Sequence, residues 1–169
     1  GSSEATITVK IENLNDNPVL LSDSNSSTNT VVENAGVGTP VGITALGSDA
    51  DRDASISAYS LTDEAGGRFA INSSTGAITT KGNINYEDST SHTITVRATS
   101  TDPEGNQEVQ TKSFTIAVTN VNDINLSGIS DNDNTANTVA ENSAAGTSVG
   151  ITAAATDLDG GATVRYDFA

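Results

Sequence analysis

Thr30–Asp51 reads TVVENAGVGTPVGITALGSDAD, and Thr138–Asp159 reads TVAENSAAGTSVGITAAATDLD. At an offset of 108 residues, 13 of the 22 positions are identical. A second echo lies at an offset of 107. Asn13–Asp16 (NLND) answers Asn120–Asp123 (NVND), and each directly follows an alternating segment, TITVKIE in the first case and FTIAVT in the second. Self-similarity at a fixed spacing marks a repeat architecture. A period near 107 residues is the size of one β-sandwich domain.

The period sets the frame for the 169 residues. Residues 1–17 read as the last strand and linker of one repeat. Residues 18–124 read as one complete repeat, and residues 125–169 as the opening strands of another. A piece that short does not bury a sandwich core alone. The two ends together lack the counterpart of Ser60–Val109. The expectation is therefore a piece of a longer array, or ends that lean on something outside the chain.

Within the complete repeat the strand signals are short and evenly spaced. Val31–Val32, Val41–Leu46, Ser55–Leu61, Arg68–Ile71, Ala77–Thr80, His92–Ala98 and Val109–Thr119 read as strands. His92–Ala98 and Ser113–Val118 alternate apolar and polar residues, the pattern of half-buried strands. Gly66–Gly67, Asn72–Gly76 and Asp102–Gly105 are turn clusters. The expected fold is all-β, an antiparallel Greek-key β-sandwich in tandem repeats.

Composition narrows the function. Acidic residues number 22 and basic residues 7, for a formal charge of −15. That charge disfavours nucleic acid or anionic lipid as a partner. No apolar run approaches the ~20 residues of a membrane span. With no Cys there is no disulfide framework, thiolate metal site or thiol nucleophile. No G-x-S-x-G, H-E-x-x-H or P-loop pattern occurs, and His92 is the only histidine, so an enzyme is not expected.

Four acidic or amide motifs fall at strand ends or turns: Glu33-Asn34, Asp49-Ala50-Asp51, Asn85-Tyr86-Glu87-Asp88 and Asn122-Asp123. Three of them recur in the neighbouring repeats, as Glu141-Asn142, Asp157-Leu158-Asp159 and Asn15-Asp16-Asn17. Oxygen donors without His or Cys suit a hard cation such as Ca²⁺. In a D-x-D pair on extended chain, both carboxylates point the same way. The bland alternative is a solvated acidic surface, as in a halophile's protein.

These residues resemble tandem cadherin-type repeats. The family's linker D-x-N-D-N-x-P is similar to Asn13-Leu14-Asn15-Asp16-Asn17-Pro18-Val19, with Asn for the first Asp and Pro one position early. Its x-E-N motif is similar to Val32-Glu33-Asn34, and its D-x-D to Asp49-Ala50-Asp51. Its F-x-I-d-x-x-T-G-x-I signature is similar to Phe69–Ile78, and its L-D-Y-E to Ile84-Asn85-Tyr86-Glu87. Ser100 stands where the family's A-x-D places Asp, with Asp102 as the candidate replacement.

The resemblance implies Ca²⁺ at two inter-repeat junctions. The first would use Asn13, Asn15, Asp16, Asn17, Asp49, Asp51 and Asp102. The second would use Glu33, Asn85, Glu87, Asn120, Asn122, Asp123, Asp157 and Asp159. Asn85 and Asn120 each remove a charge, and Ile124 replaces a linker Asn, which implies fewer or weaker ions there. The implied setting is extracellular, at the cell surface, with neighbouring repeats as the first partners and other copies or surface glycans as further ones. The lack of Cys and the near-duplicate repeats resemble large bacterial surface and biofilm adhesins. Animal cadherins that exchange a strand insert a Trp, and this chain has none. Two functions follow: a calcium-stiffened spacer in an adhesin, or a module that itself recognises carbohydrate or protein.

Overall fold

The computed structural model describes residues 1–11 and 14–168. Among the described residues ten strands run in chain order. They are β1 (Leu20–Asp23), β2 (Thr30–Val32), β3 (Pro40–Ser48), β4 (Ser55–Asp63), β5 (Phe69–Ile71), β6 (Ala77–Thr80), β7 (Ser91–Thr101), β8 (Gln107–Thr119), β9 (Ser130–Asp131) and β10 (Ala153–Ala154). β1–β8 build a sandwich of two four-stranded sheets, ordered β1-β3-β6-β5 and β2-β8-β7-β4. Every pairing in it is antiparallel except β2 with β8, which is parallel from Thr30↔Ala117 to Val32↔Thr119.

Alternation decides which face each strand buries. Along β7, Ile94, Val96, Ala98 and Ser100 are fully buried, and on β8 Phe114, Ile116 and Val118 face the same interior. Val41, Ile43 and Ala45 of β3, with Phe69 and Ile78, close the core from the other sheet. Aliphatic side chains fill most of this space. Each large one, fully buried, contributes about 1.5–3 kcal/mol relative to exposure. Ile84 belongs to the core although it lies in the loop after β6, and so pins the loop's acidic residues to the sandwich.

Glycine is required where sheets and turns approach closely. Gly76 has φ +74, and a Cβ there would lie 2.2 Å from the Ala45 carbonyl oxygen. Gly42, at the irregularity in the β3–β6 register, has φ +82 and would meet the Thr28 oxygen at 2.2 Å. Its counterpart Gly150 repeats both features, with φ +74 and the Ala136 oxygen at 2.4 Å.

The strand pattern differs from the sequence reading at three places. β1 carries a single buried side chain, Leu21, and is too short to show a period. Its pairing with β3 places it. The alternating segment after residue 4 forms no strand among the described residues. Ile7, Val9 and Ile11 are 85%, 79% and 91% exposed. Alternation supplies a face, but a strand also needs a ladder partner. Residues 125–168 form only the β9–β10 pair, yet they reuse one device of the sandwich. The Gly47 N–H donates to the Tyr59 hydroxyl at 2.9 Å, and the Ala155 N–H donates to the Tyr166 hydroxyl at 2.9 Å.

Candidate metal centre

The sandwich ends in a cluster of oxygen atoms. Glu33 follows β2 directly and is 2% exposed. Its N–H donates to the Thr119 carbonyl at the end of β8. Its carboxylate accepts the Tyr86 N–H at 2.9 Å and the Val121 N–H at 2.6 Å. Asn34 sits at φ 57, donates its N–H to the Ile84 carbonyl at 2.9 Å, and gives its side-chain amide to Asp123. One Glu-Asn turn thus ties together the end of β8, the Ile84–Glu87 loop and the segment after residue 119.

Those ties bring three carboxylates to one place. One oxygen each of Glu33, Glu87 and Asp123 lies within 4.8 Å of the others. Oxygens sharing one Ca²⁺ at 2.3–2.6 Å stand at most about 5 Å apart, so the trio has the spacing of a single ion's ligands. The electrostatics point the same way. The Tyr86 and Val121 N–H groups hold the Glu33 carboxyl below its ordinary range. Partial desolvation of its carboxyl, with the negative charges of Glu33 and Asp123, pushes Glu87 up. Glu87 thus resists ionisation beside its neighbours, and a cation relieves that.

The D-x-D pairs act on the linkers. Asp159 is 4% exposed and accepts two successive N–H groups, from Asp123 at 3.1 Å and Ile124 at 2.9 Å. Asp157 in turn accepts the Asp159 N–H at 3.0 Å. The earlier pair repeats the arrangement: Asp51 accepts the Asn17 N–H at 2.7 Å and the Asn17 side-chain amide, and Asp49 accepts the Asp51 N–H at 2.9 Å. Burial alone would raise the Asp51 carboxyl. The donors from Asn17 and Asp16 outweigh it and hold it low.

The remaining candidates divide. Asp102, 5% exposed, accepts both the N–H and the side-chain amide of Asn106, which hold its carboxyl low against burial. Ser100 is fully buried and donates to the Ser55 carbonyl at 3.3 Å. Asn15 gives its amide to the Asn106 carbonyl at 3.1 Å. Asn85 accepts the Glu87 N–H at 3.3 Å, an Asx turn that shapes the loop. Asp16 contributes its N–H to Asp51, while Asn122 is exposed at the linker surface. Asn13 lies outside the described residues. Among the described residues, the Glu33–Glu87–Asp123 trio is the acidic group that closes to ion-sharing distance.

Whether these residues fit Ca²⁺ is tested by their unpartnered atoms. Buried atoms without a hydrogen-bond partner include the side-chain oxygens of Asn15, Asp49 and Asn120. All three belong to the linkers or a D-x-D pair, and all three are acceptors with no donor in reach. Buried acceptors are rarely left so in a finished structure. An all-oxygen donor set with open lone pairs fits a hard cation.

Some participants carried no signal as ligands. Asn106 is the partner that orients Asp102, and only its place in the Asp102–Asn106 turn marks it. Asn34 was visible within the Glu-Asn pair, and its recurrence as Asn142, also at positive φ (63), was the available sign.

The cadherin domain family matches residues 27–119, more than half of the chain. Human cadherin-23 is 34% identical over 106 residues, covering 62% of this chain and 3% of that protein. Human protocadherin Fat 4 is 39% identical over 95 residues, covering 55% of this chain and 2% of that protein. The crystal structure of mouse cadherin-23 EC22-24 superposes with a TM-score of 0.67 at 31% identity, over 90% of this chain and 47% of that one. The chain thus spans a small fraction of the curated relatives' length. Cadherin domains are adhesion-related β-sandwich modules of the cell exterior. With this match spanning more than half of the chain, and a sandwich fold shared with solved cadherin structures, the chain belongs to the cadherin domain family.

Proposed function

We propose that this chain is a calcium-stiffened spacer of an extracellular adhesin, with ions held between successive repeats. The carrying observation is the convergence of Glu33, Glu87 and Asp123 within 4.8 Å, from three motifs far apart in sequence. Bound Ca²⁺ supplies the positive charge that these carboxylates otherwise lack. The chain's own residues do the rest. Glu33 joins the end of β2 to the loop and the linker. Asp159 takes two linker N–H groups and draws the following repeat onto the sandwich.

Asn85, Asn120, Asn122, Asp157 and Asp159 complete the proposed ligand set of this junction. The proposed set of the other comprises Asn13, Asn15, Asp16, Asn17, Asp49, Asp51 and Asp102. Extracellular modules of this kind bind Ca²⁺ with Kd of about 10⁻⁴–10⁻³ M, so the ion would be held outside cells and released in cytosol. The near-duplicate repeats favour a repetitive surface or biofilm adhesin as the parent.

Calorimetric titration tests this reading. Ca²⁺ should bind in that range, and Glu87→Gln, at an exposed position, should weaken binding about tenfold or more with the fold intact. Equal binding by Glu87→Gln and the parent chain would remove the trio from the account.

A further inference from the structure

We propose that Tyr86 and Gly160 form an ion-independent seat that fixes how the Asp157–Asp159 segment docks on the sandwich. The residue after the second aspartate of a D-x-D pair thereby sets the angle of the junction. The setting rests on the spacer reading above, while the seat rests on contacts of its own.

Gly160 does not have the positive φ that demands glycine elsewhere in the chain. Space excludes a side chain there. A Cβ on Gly160 would lie 2.6 Å from Cε1 of Tyr86, 3.3 Å from Cδ1 and 3.6 Å from Cζ. Real Cβ atoms do not approach so closely, so the ring or the backbone must move. The ring is not free to yield. Tyr86 packs against the sandwich core, its N–H is committed to Glu33 at 2.9 Å, and Ile84, two residues earlier, is fully buried.

Gly160 is held onto that ring from its other sides. Its carbonyl accepts the Asn120 side-chain amide at 2.9 Å. Asp159 beside it is anchored by two linker N–H groups. Gly161 then turns the chain away at φ +83, closed by the Ala162 N–H on the Asp159 carbonyl at 3.1 Å. The ring-on-glycine contact itself needs no ion. At the 108-residue offset the equivalent of Gly160 is Arg52, whose side chain is 86% exposed. The two D-x-D segments therefore present different surfaces at this place.

The test uses the full chain, which has no Cys, with spin labels at Thr111→Cys and Ala144→Cys, both exposed positions. Pulsed dipolar spectroscopy reads the distance across the junction, in EDTA and in saturating Ca²⁺. Gly160→Val should abolish the narrow peak of the parent chain in Ca²⁺, and Gly160→Ala should shift it. Both should retain terbium binding at the trio and the main melting transition. Tyr86→Ala in the Gly160→Val background should restore a narrow peak, because it removes the clash.

The seat is overturned if Gly160→Val keeps the parent peak, if the double variant is broader than Gly160→Val, or if either glycine variant loses the melting transition of the sandwich. A parent chain with the same narrow peak in EDTA and in Ca²⁺, lost in Gly160→Val, supports the seat while overturning calcium stiffening.

Discussion

Ile84 links the packing of the sandwich to its acidic end, and Ile84→Ala separates the two contributions. Its side chain is fully buried, and its carbonyl receives the Asn34 N–H at 2.9 Å. The substitution deletes three carbons. At about 0.8 kcal/mol each, the transfer contribution is about 2.4 kcal/mol. The cavity left where the surroundings do not close in raises the total to about 3–4 kcal/mol, inside the range of about 2–5 kcal/mol for such changes. For a sandwich of this size, each kcal/mol shifts Tm by about 4–8 °C, so the midpoint should fall by about 12–32 °C. Circular dichroism melting in EDTA reads this directly. Terbium titration well below the new midpoint should also show weaker binding, because the loop bearing Glu87 has lost its anchor. Leu20→Ala, at a position 68% exposed, is the control and should change Tm little. If the two variants melt alike, Ile84 does not anchor the loop and the reasoning is refuted.

Three further outcomes are expected. Tyr59→Phe leaves the Gly47 N–H without its partner and should cost about 1–2 kcal/mol, seen as a lower urea midpoint with unchanged slope. Gly76→Ala must displace the Ala45 carbonyl at positive φ and should destabilise more than Tyr59→Phe, whereas Gly36→Ala, with open space around it, should be near neutral by the same assay. Burial, assisted by the Arg68 charge, holds His92 below its ordinary 6.5. The unfolded chain then binds a proton that the folded chain refuses, so stability in EDTA should fall as pH drops through 6.5 and below. His92→Gln should flatten the pH profile between 7 and 5, and an unchanged slope there would show that His92 is not its source.

The sandwich was legible because its strands alternate. Ile94, Val96 and Ala98 occupy successive inward positions, and so do Phe114, Ile116 and Val118. β1 was not legible, since its four residues bury one side chain and its place depends on β3. Glu33, Glu87 and Asp123 could be singled out as motif residues. What sequence does not carry is which of several carboxylates converge, because that depends on how one Glu-Asn turn collects three separate backbone segments. Gly160 was harder still. Its neighbour Gly161 bears the obvious backbone signal, and only the Tyr86 ring shows why position 160 carries no side chain.

The central claim is that Ca²⁺ converts the acidic junction from repulsion to cohesion. Small-angle scattering of the full chain tests it most directly, in EDTA, Mg²⁺ and Ca²⁺ at constant ionic strength. The account predicts a narrower, more extended particle in Ca²⁺ alone, lost in Glu87→Gln. Superimposable profiles in all three solutions would contradict it and leave the carboxylates as solvated surface.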